Sequence, residues 1–462
     1  MSKKKLFKVG VISGMGLIIL LITIFFQPFT VKNVDVYLEV TAEGNAPDFV
    51  QLYYISDSEE SFSEEKSVGY PVMGGEKQAI SFSLNDMERF RIDFGKIGQN
   101  YRIENIMFKM DSYVIPWNIA DWECSLDSSD IREITHESGS TYIKVAGEDP
   151  YLVWNVDTFD VEGRFEEELN TLNAVVKIIT VAILLLLYFV VIKKFEFFVE
   201  FPTEIWRSRK LLFQLSKNDF KTRFAGSYLG IVWAFVQPIV TVLVYWFVFE
   251  KGLRSGSMMD APFVLWLIAG LVPWFFFSDA WNGGTNALLE YQYLVKKVVF
   301  QINILPLVKV ISNFFVHLVF IMFILVLYAG YGYYPDMYML QIVYYSFATF
   351  VLVLGLSYAS SALVGFFRDL SQIINIILQV GMWMTPILWN MDTMEIPEGL
   401  KILLKANPMY YIVSGYRDAL IGKVWFWENA GLTIYFWIVT AIILGGGMII
   451  FKRLKPHFAD VL

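Results

Sequence analysis

Long apolar runs constrain this chain more than any other feature of its sequence. A helix needs roughly 20 apolar residues to cross the ~30 Å hydrocarbon core of a bilayer. Eight stretches of the chain approach this length, at residues 9–27, 174–192, 228–250, 262–281, 304–330, 340–366, 372–389 and 432–451. Only 18% of the 462 residues are charged, against about a quarter in soluble domains. We therefore expect a polytopic α-helical membrane protein, and exclude a cytosolic globule, a disordered chain and a nucleic-acid binder.

The charged residues are divided unevenly along the chain. Residues 28–172 contain 29 acidic and 11 basic side chains, a balance of −18, whereas the remainder has a balance of +10. Basic residues mark cytoplasmic segments, and two cytoplasmic termini place the basic segments at 193–223, 296–297 and 452–455 on that side. We therefore predict a multi-pass protein of the cell membrane, in which residues 28–172 form an extracytoplasmic insert.

Within the insert, apolar and polar residues alternate with a period near two, as in half-buried strands. The runs at 34–40, 79–84, 90–94 and 101–106 favour an all-β, sandwich-like domain. Cys124 is the only cysteine of the chain, so no intrachain disulfide can form. Sandwich domains of this size often bind sugars through exposed aromatic residues, although core packing is the commoner use of such residues. The candidates for a sugar-binding role are Tyr113, Trp117, Trp122 and Trp154.

The predicted organisation has five parts. They are a membrane anchor helix at 1–27, the β domain at 28–172, a second membrane helix at 173–192, a cytoplasmic amphipathic helix at 201–224 and a six-span core at 225–462. The first run also has the length and basic flank of a signal peptide, but it lacks a small-residue cleavage site. We therefore interpret it as an uncleaved anchor.

Residues 201–224 are too charged to cross a bilayer and have the pattern of an interface helix. At about 100° per residue its aromatic side chains align, with basic residues on the adjoining arc. The residues that define this interface helix are Trp206, Lys210, Phe213, Lys217, Phe220, Lys221 and Arg223. Membrane anchoring and partner docking both remain open from the pattern alone.

The interface helix leads into a sequence with a family resemblance. The run LSKNDFKTRFAGSYLGIVW at 215–233 closely resembles the beginning of the permease subunits of polysaccharide, O-antigen and teichoic-acid ABC exporters. GLVPWFFF at 270–277 looks like the second core span of that family. The other matching segments are 294–298, 304–306, Asn407-Pro408, Tyr416-Arg417 and 451–455. The likeness covers roughly residues 211–462, with a departure at Gln301, where the family commonly has proline.

The resemblance implies an exporter permease that works as a homodimer with two ABC ATPase subunits. ATP and Mg²⁺ would be held by those subunits, because no P-loop can be read in this chain. The resemblance also implies that residues 286–301, with Glu290, Lys296 and Lys297, form a coupling loop seated in the ATPase. From the residues alone, Lys296 and Lys297 are better explained as basic residues that mark a cytoplasmic segment. An outer gate implied within 391–429 includes Arg417 and Asp418, which are placed to pair.

The substrate path is expected between the core spans, where aromatic faces let a sugar polymer slide. The candidate lining residues, each of which also fits packing or an interfacial belt, are Trp233, Trp246, Trp274, Phe277, Trp281, Tyr345 and Tyr358. Asp279, His317 and Lys309 are the ionisable residues within or near the spans, which is thin support for a proton-coupled carrier. Neither a catalytic constellation nor a metal cluster can be read.

We therefore predict a transporter subunit, not an enzyme, that moves a lipid-linked polysaccharide or teichoic-acid-like polymer outward. The insert's role in recognising the emerging glycan is a hypothesis. The alternatives are an ABC exporter of a drug or lipid, a membrane-anchored sensor of an external glycan, and a membrane glycosyltransferase.

Overall fold

The structure, a computed structural model, describes most of the chain. The described residues are 3–29, 31, 34–44, 48–56, 61–84, 87–95, 100–110, 113–117, 127–137, 139–147, 149–223, 228, 230–252, 261–296, 301–391, 394 and 396–461. They divide into two compact units, one formed by residues 27–178 and the other by residues 1–26 together with 179–462.

The unit at 27–178 contains two antiparallel sheets, as the alternating runs predict. Its described strands are β1 (Asp35–Ala42), β2 (Asp48–Ile55), β3 (Ser67–Val72), β4 (Lys77–Ser83), β5 (Arg89–Phe94), β6 (Asn100–Met110), β7 (Tyr113–Pro116), β8 (Asp127–Ser129), β9 (Ile131–Glu137), β10 (Ser140–Val145) and β11 (Tyr151–Asn155). Sheet A has the order β4-β1-β6-β10-β9, with β7 also paired to β6, and sheet B has the order β3-β2-β5-β11-β8. Each of the four predicted runs lies on one of these strands.

The two sheets share one apolar core. Alternate residues point inward, so Val36 and Leu38 of sheet A are buried in the same cluster as Leu52 and Ile92 of sheet B. Such interdigitation of two inner faces is how a sandwich excludes water without disulfides.

Two of the predicted sugar-binding aromatics belong to this core instead. Trp117 and Trp154 are buried, and their ring centroids lie 6.0 Å apart. Tyr113 is half-buried on β7, whereas Trp122, like Cys124, lies outside the described residues. Trp117 and Trp154 therefore fill the core, which leaves a sugar-binding surface to be sought elsewhere in the domain.

A helix begins earlier than the predicted second span. Helix α2 runs from Val161 to Lys193, and Phe165 and Leu169 on its first turns pack into the sandwich core. These residues are four apart and therefore lie on one face of the helix. The predicted β domain includes residues 161–172, because the acidic residues 166–168 separate Phe165 from Leu169 in the sequence and obscure the helical pattern.

The remaining helices belong to the second unit. They are α1 (Lys3–Phe25), α3 (Phe195–Arg207), α4 (Arg209–Thr222), α5 (Trp233–Trp246), α6 (Phe263–Glu290), α7 (Gln292–Val295), α8 (Leu305–Gly330), α9 (Gln341–Val364), α10 (Leu370–Met384), α11 (Glu398–Lys405), α12 (Pro408–Arg417), α13 (Ala430–Leu454) and α14 (Phe458–Val461). The core of the bundle forms where α6 packs on α8 and α9, and where α9 packs on α13.

Six helical segments among the described residues are long and apolar enough to cross a membrane, at 8–25, 163–193, 263–290, 302–330, 338–364 and 430–457. The other two of the eight predicted spans contain shorter α-helices. Helix α5 continues on both sides as tighter and wider turns, so residues 230–252 are helical over roughly 34 Å. Helix α10 reaches only about 22 Å and ends at Met384, two residues before Pro386. The α-helix within the stretch at 372–389 is therefore shorter than the hydrocarbon core of a bilayer.

Candidate translocation and coupling sites

A polar stripe runs along helix α6 in the middle of an apolar sequence. Asp279, Asn282 and Asn286 are three and four residues apart, which places them on one helix face. Asp279 is exposed, and the two asparagines are half-buried. The Asn286 amide donates to the backbone and side-chain oxygens of Asn282, each at 3.0 Å. Polar residues in such a helix are costly in lipid, so they indicate a wet face or a partner.

Helix α10 places a second polar stripe against the first. The Asn282 amide donates to Asn375 Oδ1 at 2.6 Å, and the Ser371 hydroxyl donates to Asn286 Oδ1 at 2.7 Å. Gln372 and Gln379 are exposed on the same helix, three residues before and four residues after Asn375, a spacing that keeps them in line with it. We call these residues of α6 and α10 the polar face. The polar face was not among the predicted sites, although its amide side chains recur at a spacing of three and four residues in the sequence.

Three of the predicted path aromatics lie along α6 in a ladder of rings. Phe277 stands 5.5 Å from Trp274 and 5.6 Å from Trp281, measured between ring centroids. Trp274 and Phe277 are buried, and Trp281 is half-buried beside Asn282. Of this ladder, Trp281 is therefore the residue that a molecule at the polar face would meet first.

The other four path candidates are dispersed through the unit. Tyr345 is buried among Tyr411 and Tyr416, whereas Tyr358 is buried in a separate cluster and donates to the Asn303 carbonyl at 2.9 Å. Trp233 is exposed on α5. Trp246 lines an apolar cavity of about 240 Å³ between α5, α6 and α8. The structure thus does not bring the seven aromatics together into one path.

A charge cluster, in which Lys309 and Asp219 are buried and Glu290 is exposed, joins α4, α6 and α8 at one end of the bundle. Lys309 Nζ lies 2.6 Å from Asp219 Oδ1 and 2.5 Å from Glu290 Oε2. The Tyr291 hydroxyl donates to Asp219 Oδ1 at 2.8 Å. Burial and the neighbouring Asp219 carboxylate raise the pKa of Tyr291 well above its usual value, so the phenol remains a donor. The cluster connects the predicted interface helix with the base of the predicted coupling loop.

The predicted interface helix is two helices rather than one. It breaks at Ser208, whose backbone N–H closes the end of α3 and whose hydroxyl donates to the side chain of Gln301. The buried residues of α4 are Leu212, Ser216 and Asp219. Helical periodicity alone does not indicate this packing face, because Lys309, the partner of Asp219, is remote in sequence.

The residues predicted for the interface helix lie mostly outside this packing face. Trp206 and Phe213 are 70% and 57% exposed, and Phe220 is half-buried. The lysines 210, 217 and 221 are exposed. Arg223 Nη1 donates to Asn313 Oδ1 at 2.8 Å, which ties the end of α4 to α8.

The structure describes only part of the predicted coupling loop. Glu290 belongs to the charge cluster, Lys296 is exposed after α7, and Lys297 lies outside the described residues. Residues flanking the loop contact the interface helices, because Asn303 donates to Glu204 at 2.6 Å. The three predicted residues therefore occupy different environments.

Arg417, predicted in the outer gate, has a structural environment of its own. Its guanidinium is buried, lies 3.4 Å from the ring centroid of Trp266 and donates to the carbonyls of Pro386 and Ile387 at 2.7 and 2.9 Å. These bonds fasten α12 to the chain that follows α10. Backbone carbonyls carry no sequence signal, which is why the sequence suggests the neighbouring Asp418 as the partner of Arg417 instead.

Comparison with known proteins agrees with the architecture of the second unit. Residues 210–421 match the ABC-2 type transporter family. This match supports a type-2 ABC permease over residues 210–421. Relatives of the permease include the O-antigen export system permease protein RfbA of Myxococcus xanthus, 28% identical over 261 residues that cover 56% of this chain and 97% of that protein. An RfbA of Klebsiella pneumoniae is 26% identical over 54% of this chain and 95% of that protein. The polysialic acid transport protein KpsM of Escherichia coli is 23% identical over 44% of this chain and 78% of that protein.

These matches confirm the family that the motifs after residue 211 indicated. They also establish a multi-pass membrane protein, in keeping with the apolar helices of the permease.

Proposed function

We propose that this permease is the membrane subunit of an ATP-driven exporter that moves a lipid-linked polysaccharide outward. The observation that carries the proposal is the polar face, where Asn282 of α6 binds Asn375 of α10 within otherwise apolar helices. Amide side chains donate and accept hydrogen bonds at once, as a passing chain of sugar hydroxyls requires. The relatives named for O-antigen export support a polysaccharide as the cargo.

The same proposal assigns the chain a homodimer and two separate ABC ATPase subunits that hold ATP and Mg²⁺. Asp279 is exposed on α6, and Arg223 of the same chain balances part of its charge, so a dimer partner would supply the rest of the polar environment that it needs within the bilayer. The charge cluster connects the predicted coupling loop with the membrane helices, so it can transmit a movement driven by ATP hydrolysis. A force on the loop after Glu290 passes through Lys309 to α8 and through Asp219 to α4.

Reconstitution of the permease with its co-purified ATPase tests the proposal. We expect the lipid-linked polymer to stimulate ATP hydrolysis and to cross the bilayer of proteoliposomes. The paired substitution Asn282→Leu and Asn375→Leu should abolish transport, since it turns the polar face apolar. The matched pair Asn282→Ser and Asn375→Ser keeps polarity and should retain most transport. Normal transport by the leucine pair, or failure to recover any ATPase, would contradict the proposal.

A further inference from the structure

The outer face of sheet B carries an ordered set of aromatic and polar side chains that the proposed export function does not use. Strand alternation places Phe49, Gln51 and Tyr53 of β2 on this face, since Val50 and Leu52 between them are buried. Register then places Asp93 and Tyr151 in the same row as Gln51, and Arg91 beside Tyr53.

Phe49 is positioned by a glycine on the neighbouring strand. A Cβ atom at Gly69 would lie 1.9 Å from Cζ of Phe49, so the ring occupies the space above β3 that any other residue would fill. The side chain is nevertheless 48% exposed. The sheet therefore presents a fixed aromatic ring to solvent.

Hydrogen bonds hold the polar side chains beside the rings in place. Gln51 Nε2 donates to Glu64 and Ser67 at 3.0 and 2.8 Å, and the Tyr53 hydroxyl donates to Glu64 at 2.9 Å. The Arg91 guanidinium lies 3.9 Å from the ring centroid of Tyr151. Pre-ordered groups of this kind lose little entropy on binding a ligand.

Arg91 is also paired with carboxylates. It forms ion pairs with Asp93 and, at 3.2 Å, with Asp149. Its positive charge is therefore offset within the face itself, and the surrounding domain has a balance of −18. A polyanion would be repelled, whereas uncharged hydroxyls find both donors and acceptors.

We infer that the outer face of sheet B is a binding site for an uncharged carbohydrate. Phe49 and the ring faces of Tyr53 and Tyr151 that Arg91 does not cover receive sugar C–H surfaces, and Gln51, Arg91 and Asp93 meet hydroxyls. Two strand spacings separate β2 from β11, about 10 Å, so the site takes a short oligosaccharide rather than one sugar. The inference rests on the proposed function in one respect, because the ligand would be the exported polymer. It narrows that polymer to a neutral glycan and excludes a teichoic-acid-like polyphosphate.

Binding by the full chain in nanodiscs, without ATPase, tests the site. The probes are an array of neutral hexose and deoxyhexose oligosaccharides, with poly(glycerol phosphate) as the anionic probe, and positive spots are measured by calorimetry. We expect a neutral oligosaccharide to bind and the polyanion not to bind. Phe49→Ala should weaken binding about tenfold, the loss typical of a truncated aromatic anchor. Gly69→Ala should also weaken it, because the added methyl displaces the Phe49 ring.

Phe49→Tyr keeps the ring and should retain the affinity. Tyr37→Ala removes an aromatic from the outer face of sheet A and should also leave the affinity unchanged. Absence of any neutral ligand at millimolar concentration, preference for the polyanion, or an equal loss in Tyr37→Ala would overturn the inference. Since the assay contains no ATPase, such a result leaves polymer-stimulated ATP hydrolysis as a separate test of the exporter.

Discussion

At the scale of single residues, Lys309 is the side chain whose loss we expect to damage the permease most. It is 8% exposed and neutralises Asp219, which is 6% exposed. Lys309→Met leaves the Asp219 carboxylate buried without its cation, and breaking a buried pair from one side costs about 3–5 kcal/mol. We expect a clearly lower thermal unfolding midpoint of the purified protein and the loss of export.

The double variant Lys309→Met with Asp219→Leu supplies the control for this prediction. It removes the orphaned charge, so much of the lost stability should return. Glu290→Gln should cost no more than about 1 kcal/mol, because Glu290 is 52% exposed. An equal loss of stability in all three variants would show that the pair does not act as a unit.

Tyr53 is expected to make the stability of the sandwich domain decrease at alkaline pH. Burial and the hydrogen bond to Glu64 raise its pKa to about 12, from about 10 in an unfolded chain. Its contribution to stability is therefore complete below about pH 10 and is lost as the pH rises towards 12, because only the unfolded phenol then releases its proton. Tryptophan fluorescence during chemical unfolding should show this decline, and Tyr53→Phe should make it shallower. The same slope in both proteins would refute the assignment.

At the scale of helices, two glycines set the distance between α9 and α13. A Cβ atom at Gly447 would lie 2.3 Å from the backbone oxygen of Gly355, so no side chain fits without separating the helices. We expect Gly447→Ala to destabilise the protein by about 1–3 kcal/mol, as overpacking does, measured by thermal unfolding in detergent. Gly446→Ala is the matched control, since no atom lies within 4 Å of its Cβ position. A similar effect of both substitutions would contradict close packing as the cause.

The elements that sequence predicted well are those with a local signal. The strand at Arg89–Phe94 and the core spans follow from periodicity and length, which depend on neighbouring residues only. The break at Ser208 depends on Gln301, and the buried face of α4 depends on Lys309. Such partners are remote in sequence, and Arg417 binds carbonyls that leave no sequence mark at all. The polar face is predictable only in part. The polar stripe on each helix is periodic in the sequence, but the contact between the two stripes is a tertiary contact that the sequence does not indicate.

At the scale of the whole molecule, the uneven distribution of charge predicts the membrane topology. The domain at 28–172, with a balance of −18, is expected outside the membrane, and the basic segments of the remainder, whose balance is +10, are expected inside. Cysteine labelling can test this, because Cys124 is the only native cysteine and Cys124→Ser gives an unreactive background. Met73→Cys and Met337→Cys lie at exposed positions, 55% and 69% respectively. Met73 belongs to the predicted extracytoplasmic insert, and Met337 lies between the spans at 304–330 and 340–366, on the outer side if residues 296–297 are cytoplasmic.

Lys296→Cys and His457→Cys lie at exposed positions predicted to be inside. We expect a membrane-impermeant maleimide to label the first pair in intact cells and the second pair only after permeabilisation. The four sites control for one another, since each is exposed and differs from the others in its predicted side. Labelling of Lys296→Cys in intact cells would place the loop after α7 outside, where no ATPase could reach it. The coupling route through Glu290 and Lys309 would then have to be abandoned. The proposed sugar-binding site on sheet B would be unaffected, because it requires only that the domain containing Met73 lie outside the membrane.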